Sequence, residues 1–170
     1  MKILIFHGYL LRGTGSNIYN ANLAQALATL GHDVHLLCQD QEAEQLRWVN
    51  QIGLWDDEGL AVTELRLADG DGSVTVYRPP IGNLLPVYVE DPYVGFEARA
   101  FPRLSDDEIE HYIRVNVSAV NDVQELIGGQ DAALANHLIM GPVIFARAGV
   151  RPYAVKNHGS DLEYTVKPYP

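Results

Sequence analysis

The sequence predicts an α/β fold of the Rossmann-like class: a mostly parallel sheet with helices on both faces, forming a three-layer sandwich. The first sign is a strand–helix–strand unit, in which the apolar run "KILIF" (2–6) and the run "DVHLLCQ" (33–39) flank an alanine-rich segment. The second is the further alternation of short apolar runs with helical patterns towards the end of the chain. Such alternation is typical of parallel sheets with crossover helices. A chain of 170 residues has room for one domain of this kind.

The first strand, Lys2 to Phe6, is apolar without alternation, as expected of a strand covered on both faces. In the helix that follows, spacings of four, four and three predict an apolar stripe formed by Tyr19, Leu23, Leu27 and Leu30. Ser16 or Asn17 is the expected N-cap of this helix, and Gly31 the residue that ends it.

The middle of the chain predicts a second helix in "QEAEQLRWVNQI" (41–52). Two strands, "GLAVTELRL" (59–67) and "SVTVYRP" (73–79), follow it around the turn "ADGDGS". Residues 79–104 contain five prolines with aromatic residues between them. They predict a long loop, which either contacts a ligand or is a surface loop held in place by its aromatic side chains.

Ser105 and Glu108 form a capping-box pattern that predicts the start of a long helix. Within this helix Asn116 interrupts the apolar stripe, as a hydrogen-bonded core residue would. A strand in "DAALAN" (131–136), a helix in "IMGPVIFARAG" (139–149) and a strand in "YAVKN" (153–157) complete the predicted elements.

His137 and His158 each come just after a predicted strand. Ligands of open parallel sheets bind at this carboxyl edge, so both histidines are candidate site residues. His158 either contacts a ligand through its ring or carbonyl, or belongs to a turn in which Ser160 and Asp161 cap the next helix.

The composition argues against several classes of protein. The formal net charge is −10, and the 12 basic residues form no cluster, which disfavours a nucleic-acid surface and a polybasic membrane contact. The longest apolar runs fall short of a membrane span. A single cysteine, Cys38, excludes an internal disulfide framework, and the cytoplasm is the expected location.

Gly13 and Gly15 raise the question of a phosphate-binding turn. The dinucleotide fingerprint needs a third glycine where Ile18 stands, and the turn is longer than that motif allows. Asp40 is either a ribose-binding acid or a solvated loop acid. Backbone groups of Gly13, Thr14 and Gly15 are suited to approach a phosphate at the helix start, but a connector without a ligand fits the same residues.

Other catalytic constellations find little support. The six histidines lack the spacing of metal ligands, so no metal site is expected. Ser160, His158 and Asp161 are too close in sequence for the usual triad geometry. Neither a Gly-x-Ser-x-Gly nor a Gly-Lys-Ser/Thr motif is present.

Three stretches together resemble the N-terminal domain of glycosyltransferase family 4, which has the glycosyltransferase B fold. They are "KILIFHGYLLRGTGSNIYNANLAQALATLGHDVHLLCQ", "ALANHLIMGPVIFARAGV" and "YAVKNHGSDLEYTVK". The ordered pattern is a glycine loop, a helix ending in Gly-His-x-Val, a strand ending in His and a strand leading to His-Gly-Ser-Asp. The resemblance covers the chain apart from a variable middle of about residues 41–131.

The resemblance implies a retaining, metal-independent transfer of a sugar from a UDP- or GDP-linked donor to a carbohydrate or lipid-linked acceptor. It places Gly13, Thr14 and Gly15 at the donor diphosphate and His158 at the reacting sugar. The acceptor side would hold Asn136, His137, Gly159 and Ser160. No cofactor beyond the nucleotide-sugar substrate is implied, and the enzyme would be cytoplasmic or peripheral at the inner membrane face.

Residues 1–170 would then be the acceptor-side domain of a longer chain whose C-terminal domain binds the nucleotide-sugar, and we expect the 170 residues alone to be inactive. Two alternatives stay open. One is a nucleotide-cofactor oxidoreductase or epimerase, which the strand–helix–strand start favours. The other is a sugar- or nucleotide-binding module without catalytic activity.

Overall fold

A computed structural model of the protein describes residues 1–169. Its strands are β1 (Lys2–Phe6), β2 (Asp33–Leu37), β3 (Gln51–Asp56), β4 (Gly59–Glu64), β5 (Ser73–Arg78), β6 (Leu84–Val87), β7 (Glu97–Ala100), β8 (Ala132–Ala135) and β9 (Tyr153–Val155). Its helices are α1 (Gly15–Thr29), α2 (Asp106–Ile127), α3 (Gly141–Arg147) and the single turn α4 (Gly159–Asp161). A π-helical turn, Leu162–Val166, continues α4.

Seven strands form one sheet in the order β4-β3-β5-β2-β1-β8-β9. Every neighbouring pair is parallel except β3 and β4. The chain leaves β1 towards β2 on one side, and later returns to β8 on the other side of β1. The boundary between β1 and β8 is therefore the switch point of the sheet, where the loops diverge and leave a crevice.

Alternating residues of β1 divide the core into two halves. Leu4 and Phe6 belong to the cluster that includes the buried faces of α2 and α3. Ile3 and Ile5 belong to the cluster on the opposite face, together with residues of α1. Because successive strand residues point to opposite faces, this division confirms the predicted three-layer fold with helices on both sides of the sheet.

The predicted apolar stripe of α1 is confirmed only in part, because Leu23 and Leu27 are partly buried against the core but the centre of the buried face lies elsewhere. The buried residues of this helix are Asn17, Asn20, Ala21 and Ala24. Leu30 is 72% exposed, and it lies just beyond the end of the helix. The expected N-cap is also wrong, because Thr14 occupies that position and no side chain caps the helix. The face of α1 that meets the sheet therefore carries two asparagines, and both serve the site described below.

The helix predicted over residues 41–52 is absent. Only a 3₁₀ turn, Ala43–Gln45, forms there, and the end of the segment enters β3. The Oδ1 of Asn50 accepts a hydrogen bond from Val74 N–H, and its carbonyl accepts one from Leu65 N–H. These contacts with distant residues hold the segment extended despite its good helix-forming composition.

Residues 79–104 are more regular than predicted. β6 and β7 pair in parallel as a separate two-stranded sheet, starting with Leu84 opposite Glu97. The 3₁₀ turn Phe101–Arg103 follows. The aromatic residues do hold the segment in place, since Phe101 is buried and contacts Tyr88 with ring centroids 5.0 Å apart.

The last third of the chain follows the sequence expectations closely. Ser105 caps α2 in a reciprocal capping box with Glu108. Asn116 is buried and donates a hydrogen bond to the Tyr112 carbonyl, as expected of a satisfied core residue. Gly128 adopts a left-handed conformation that ends the helix.

Candidate functional site

Three loops meet at the carboxyl edge of the central strands. His7 follows β1 directly, Asn136 and His137 follow β8, and His158 lies three residues beyond β9. The ring centroids of His7 and His137 are 5.9 Å apart, and those of His137 and His158 are 4.8 Å apart. The three imidazoles therefore form one contiguous cluster beside the switch point.

His7 is held by hydrogen bonds at both ring nitrogens. Its Nε2 lies 2.9 Å from the Leu10 carbonyl oxygen and 3.0 Å from Asn17 Oδ1. Its Nδ1 lies 3.2 Å from Asn20 Nδ2 and 3.0 Å from Asn136 Nδ2. The two asparagines of α1 are thus buried because they complete the hydrogen bonding of a buried histidine.

Asn136 links His7 to His158. While its Nδ2 faces His7, its Oδ1 lies 3.0 Å from His158 Nε2. Its backbone N–H donates to the Phe6 carbonyl, which ties the residue to the end of β1. The side chain is fully buried, so its amide is fixed by these partners rather than by solvent.

His137 and Asp161 form a second connected pair. His137 Nδ1 lies 3.0 Å from Asp161 Oδ1, and the other carboxylate oxygen accepts the His158 backbone N–H at 2.7 Å. His137 Nε2 is buried and has no hydrogen-bond partner within residues 1–169. Since a carboxylate only accepts hydrogen bonds, it favours the tautomer with the proton on Nδ1, which leaves a lone pair on Nε2.

Burial dominates the protonation of the site. It lowers the pKa of His7 to about 3, with a further contribution from the neighbouring His137. It also lowers the pKa of His158, again with His137 adding to the effect. For Asp161 burial acts against the charged form, but the hydrogen bond from His137 and that from the His158 N–H outweigh it and lower the pKa. Burial therefore favours the neutral form of His7 and of His158, next to one buried carboxylate.

A cavity of about 110 Å³ opens beside this cluster. Its polar lining includes His137, Thr14 and Ser160. Its aromatic lining consists of Tyr9, Tyr88 and Tyr93. Burial raises the pKa of Tyr9, and the neighbouring Tyr88 adds to this effect. Burial also raises the pKa of Tyr88, and the nearby Asp161 carboxylate adds to it. Both tyrosines therefore stay protonated. Aromatic walls with a few fixed polar groups are typical of small-ligand sites.

A second cavity, of about 410 Å³, adjoins the first along the glycine loop. Its lining includes Gly13, Thr14 and Arg12, and Thr14, Asn17, Asp91 and Tyr93 line both cavities. Asp40, at this end of β2, is buried and not solvated: its carboxylate accepts hydrogen bonds from Leu11 N–H and from the Arg12 guanidinium. Asp40 therefore anchors the segment that leads into the glycine loop.

The structure brings several of the residues predicted from the sequence together. Thr14, His137 and Ser160 line the first cavity, Gly13 and Thr14 line the second, and His158 is bonded to Asn136. Gly15 begins α1, and its position is exposed. Gly159 begins α4 and lines neither cavity. Ser160 and Asp161 lie within α4, whose N-cap is His158. Asp161 still helps to cap this helix, because its carboxylate accepts the His158 backbone N–H in a capping box, whereas Ser160 does not cap it.

Several residues of the site were missed by the sequence analysis. They are His7, Tyr9, Asn17, Asn20, Tyr88 and the carboxylate role of Asp161. His7 had a usable signal, because it follows β1 just as His137 follows β8. The asparagines of α1 had none, since their spacing was hidden by a more regular pattern of leucines.

Over residues 1–169 no group of three or more His, Cys, Asp or Glu side chains is arranged to hold a metal ion. The same part of the chain contains no helix with the length and hydropathy of a membrane span. Hydrogen bonds of Asn136 and Asp161 connect the residues of the cluster of His7, His137 and His158.

Comparisons with known proteins add little to this geometry. No family model matches the chain, and no curated protein matches it. Among solved structures, the crystal structure of the C-terminal domain of a hydrogenase from Pyrococcus furiosus is similar, with 17% identity and a TM-score of 0.41. The similarity covers 91% of this chain and 90% of that one. A likeness this slight carries no conclusion about activity.

Proposed function

We propose that this chain is the acceptor-side domain of a retaining, metal-independent glycosyltransferase that uses a UDP- or GDP-linked sugar. The observation that carries the proposal is the meeting of three loops at the switch point of a parallel sheet. These loops follow β1, β8 and β9, and together with the segment after β6 they line a tyrosine-walled cavity. A histidine nitrogen beside it, His137 Nε2, has no hydrogen-bond partner among residues 1–169. The resemblance to glycosyltransferase family 4 supplies the reaction.

The first cavity suits a carbohydrate acceptor. A sugar ring offers apolar faces to aromatic side chains and hydroxyl groups to polar ones. Tyr9, Tyr88 and Tyr93 would supply the apolar contacts, and His137 Nε2 would accept a hydrogen bond from a hydroxyl group. Ser160 lines the same cavity, and Asn136 and Gly159 adjoin its histidines in the chain.

The glycine loop suits the donor diphosphate. The first hydrogen bond of α1 runs from Ile18 N–H to the Thr14 carbonyl, so the N–H groups before Ile18 have no acceptor inside the helix. Such groups at a helix start attract phosphate oxygens. Gly13 and Gly15 have no side chain that would obstruct the approach. The space that a Cβ would occupy at either position is also free of other protein atoms, so a phosphate can reach the backbone there.

His158 has the central role in the proposed reaction; it lines neither cavity, but its ring adjoins that of His137. The barrier is the departure of a nucleoside diphosphate from an oxocarbenium-like sugar carbon. Backbone N–H groups of the glycine loop would stabilise the negative charge on the leaving group. The neutral ring of His158 would contact the transferred sugar, and a C-terminal domain of the same full-length chain would bind the nucleotide.

Two observations favour this proposal over a dinucleotide oxidoreductase. Ile18 occupies the place of the third fingerprint glycine, yet it is 48% exposed and does not mark a close helix–strand contact. Asp40, the candidate ribose-binding acid, is already engaged by Leu11 N–H and Arg12.

The donor side can be tested by binding. We expect a UDP- or GDP-linked hexose to shift the backbone amide NMR signals of Gly13, Thr14 and Gly15. Gly15→Ala should abolish the shift. The free protein has room for the added methyl group, but this methyl group would occupy the space that a bound diphosphate needs. Gly70→Ala, which also meets open space, is the matched control and should leave binding unchanged.

Two results would contradict the proposal. Stronger shifts with NAD than with either nucleotide-sugar would favour the oxidoreductase. Nucleotide-sugar binding that survives Gly15→Ala without change would remove the glycine loop from the donor site.

A further inference from the structure

A chain of hydrogen bonds runs from the segment before the glycine loop to His158. It passes through His7 and Asn136, and each of its contacts is 3.0 Å or shorter. A carbonyl oxygen can only accept a hydrogen bond, so it dictates the direction of the bond that it makes. The direction of every later bond then follows from the one before it.

The chain begins at His7 Nε2. The Leu10 carbonyl and Asn17 Oδ1 are both acceptors, the latter because Asn17 Nδ2 is used to donate to the Arg12 carbonyl at 2.7 Å. The proton of His7 must therefore be on Nε2. Its Nδ1 is left as an acceptor, and Asn20 Nδ2 and Asn136 Nδ2 approach it.

The next step fixes the amide of Asn136. Because His7 Nδ1 requires a donor, the NH₂ group of Asn136 faces His7 and its Oδ1 faces His158. The Asn136 backbone cannot shift to change this, since its N–H is bonded to the Phe6 carbonyl at 2.9 Å. His158 Nε2 then meets an acceptor and must carry the proton.

We propose that His7 and Asn136 are positioning residues that hold neutral His158 as the Nε2–H tautomer. Nδ1 of His158 is then the nitrogen that carries the lone pair, and the ring faces the Asp161 backbone N–H in the capping box of α4. This nitrogen accepts a hydrogen bond from a donor such as that N–H or a ligand hydroxyl group, whereas the opposite tautomer would present a donor there. The proton arrangement rests on the geometry alone, and its part in sugar transfer rests on the proposed function.

The tautomer is measurable in the 170-residue protein without any substrate. Long-range ¹H–¹⁵N NMR distinguishes protonated from unprotonated ring nitrogens of each histidine. At a pH where the rings are neutral, we expect Nε2 to be protonated and Nδ1 unprotonated in both His7 and His158. A coupling across the hydrogen bond between Asn136 Nδ2 and His7 Nδ1 is expected as well, and it requires no substitution.

Substitutions test whether the chain sets the tautomer. His7→Phe removes the acceptor that orients Asn136, so the amide can turn and His158 should lose its pure Nε2–H pattern. Asn136→Leu should do the same. His7→Gln keeps an acceptor for Asn136 and a donor for Leu10, and should preserve the wild-type pattern.

His35→Phe is the matched control for the loss of a partly buried ring. His35 bonds to Tyr77 on β5 and has no contact with the chain of bonds, so His158 should keep its tautomer. A wild-type His158 protonated on Nδ1 overturns the proposal, and so does an unchanged pattern in His7→Phe and Asn136→Leu. If both variants fail to fold, absence of the Asn136–His7 coupling in the wild type overturns it, and its presence supports it. These measurements use neither a nucleotide-sugar nor a carbohydrate acceptor, so their outcomes are independent of the transferase test.

Discussion

His137 Nδ1 and Asp161 Oδ1 lie 3.0 Å apart, although the two residues are 24 positions apart in the sequence. His137 is almost fully buried, and Asp161 is completely buried. The contact joins the loop after β8 to the turn after β9, and Asp161 extends it by accepting the His158 N–H. One carboxylate thus organises both loops of the site.

Asp161→Asn tests that role. An amide in this place turns a donor towards the His137 or His158 N–H, so we expect the free energy of unfolding to fall by about 2 kcal/mol at pH 7. Because the pKa of Asp161 is lowered in the folded protein, its contribution is complete above the ordinary value of 3.8 and is lost as the pH falls through the folded value. The difference from wild type should therefore shrink below about pH 4, measured by urea unfolding.

Asp57→Asn is the control for this substitution. Asp57 is exposed in the turn between β3 and β4, and its loss should change the free energy of unfolding by less than about 0.5 kcal/mol. An Asp161→Asn variant as stable as the Asp57→Asn variant would contradict the organising role.

His7→Gln tests the neutral buried imidazole. The pKa of His7 is lowered from 6.5 to about 3, so the folded protein binds fewer protons than the unfolded chain between these values. Stability is therefore complete above pH 6.5 and decreases as the pH falls, by up to about 1.4 kcal/mol per pH unit from this group. Glutamine does not titrate, so urea unfolding from pH 7 to 4.5 should show a shallower loss in His7→Gln.

A second histidine provides the comparison. Burial lowers the pKa of His35 to about 4, and His35→Gln should remove a separate part of the same acid sensitivity. The two effects should add, because His35 bonds to Tyr77 and not to the site. If the stability of wild type and of His7→Gln fell in parallel with pH, His7 would bind its proton over the same pH range in the folded and unfolded protein. That result would contradict the lowered pKa of His7.

Gly72→Ala tests the close approach between α1 and the loop before β5. A Cβ at Gly72 would lie within 2.6 Å of the His32 carbonyl oxygen and closer still to that of Ala28. Because both obstacles are backbone atoms, we expect a loss of about 1–3 kcal/mol in the free energy of unfolding. Gly70→Ala, two residues earlier in the same loop, meets open space and should be nearly neutral. Equal stability of the two variants in urea would contradict the packing.

His158→Ala and His137→Ala separate the two histidines in the proposed two-domain enzyme. His158 would contact the reacting sugar, so its loss should lower kcat on the order of 100-fold. His137 would hold an acceptor hydroxyl group, so its loss should mainly raise the acceptor KM, by about tenfold. Steady-state kinetics with a UDP- or GDP-linked sugar distinguish the two, and unchanged kcat in His158→Ala would refute its role.

The fold was largely readable from the sequence, because its signals are local. Ser105 and Glu108 indicate the start of α2 by their capping-box pattern, and the apolar run of β1 indicates a strand covered on both faces. Candidate site residues at the carboxyl edge followed from topology, once His137 and His158 were placed after strands.

What the sequence hid depends on contacts between distant residues. Asn50 holds its segment extended by bonding to Val74 and Leu65, which outweighs a helix-forming composition. The docking face of α1 could not be read because its asparagines are buried only in the presence of His7. A polar residue looks like a surface residue until its buried partner is known.

β9, which carries the loop to His158, has three residues and lies at the end of the sheet, with β8 as its one neighbour in the order of strands. His7 and Asn136 follow strands that have neighbours on both sides. Edge strands open locally at a lower free energy than central ones, so the β9 N–H groups should exchange with deuterium sooner than those of β1. Such an opening would withdraw His158 from Asn136 and loosen the contact between Asp161 and His137. Ligand binding that protects the β9 amides would then slow their hydrogen exchange.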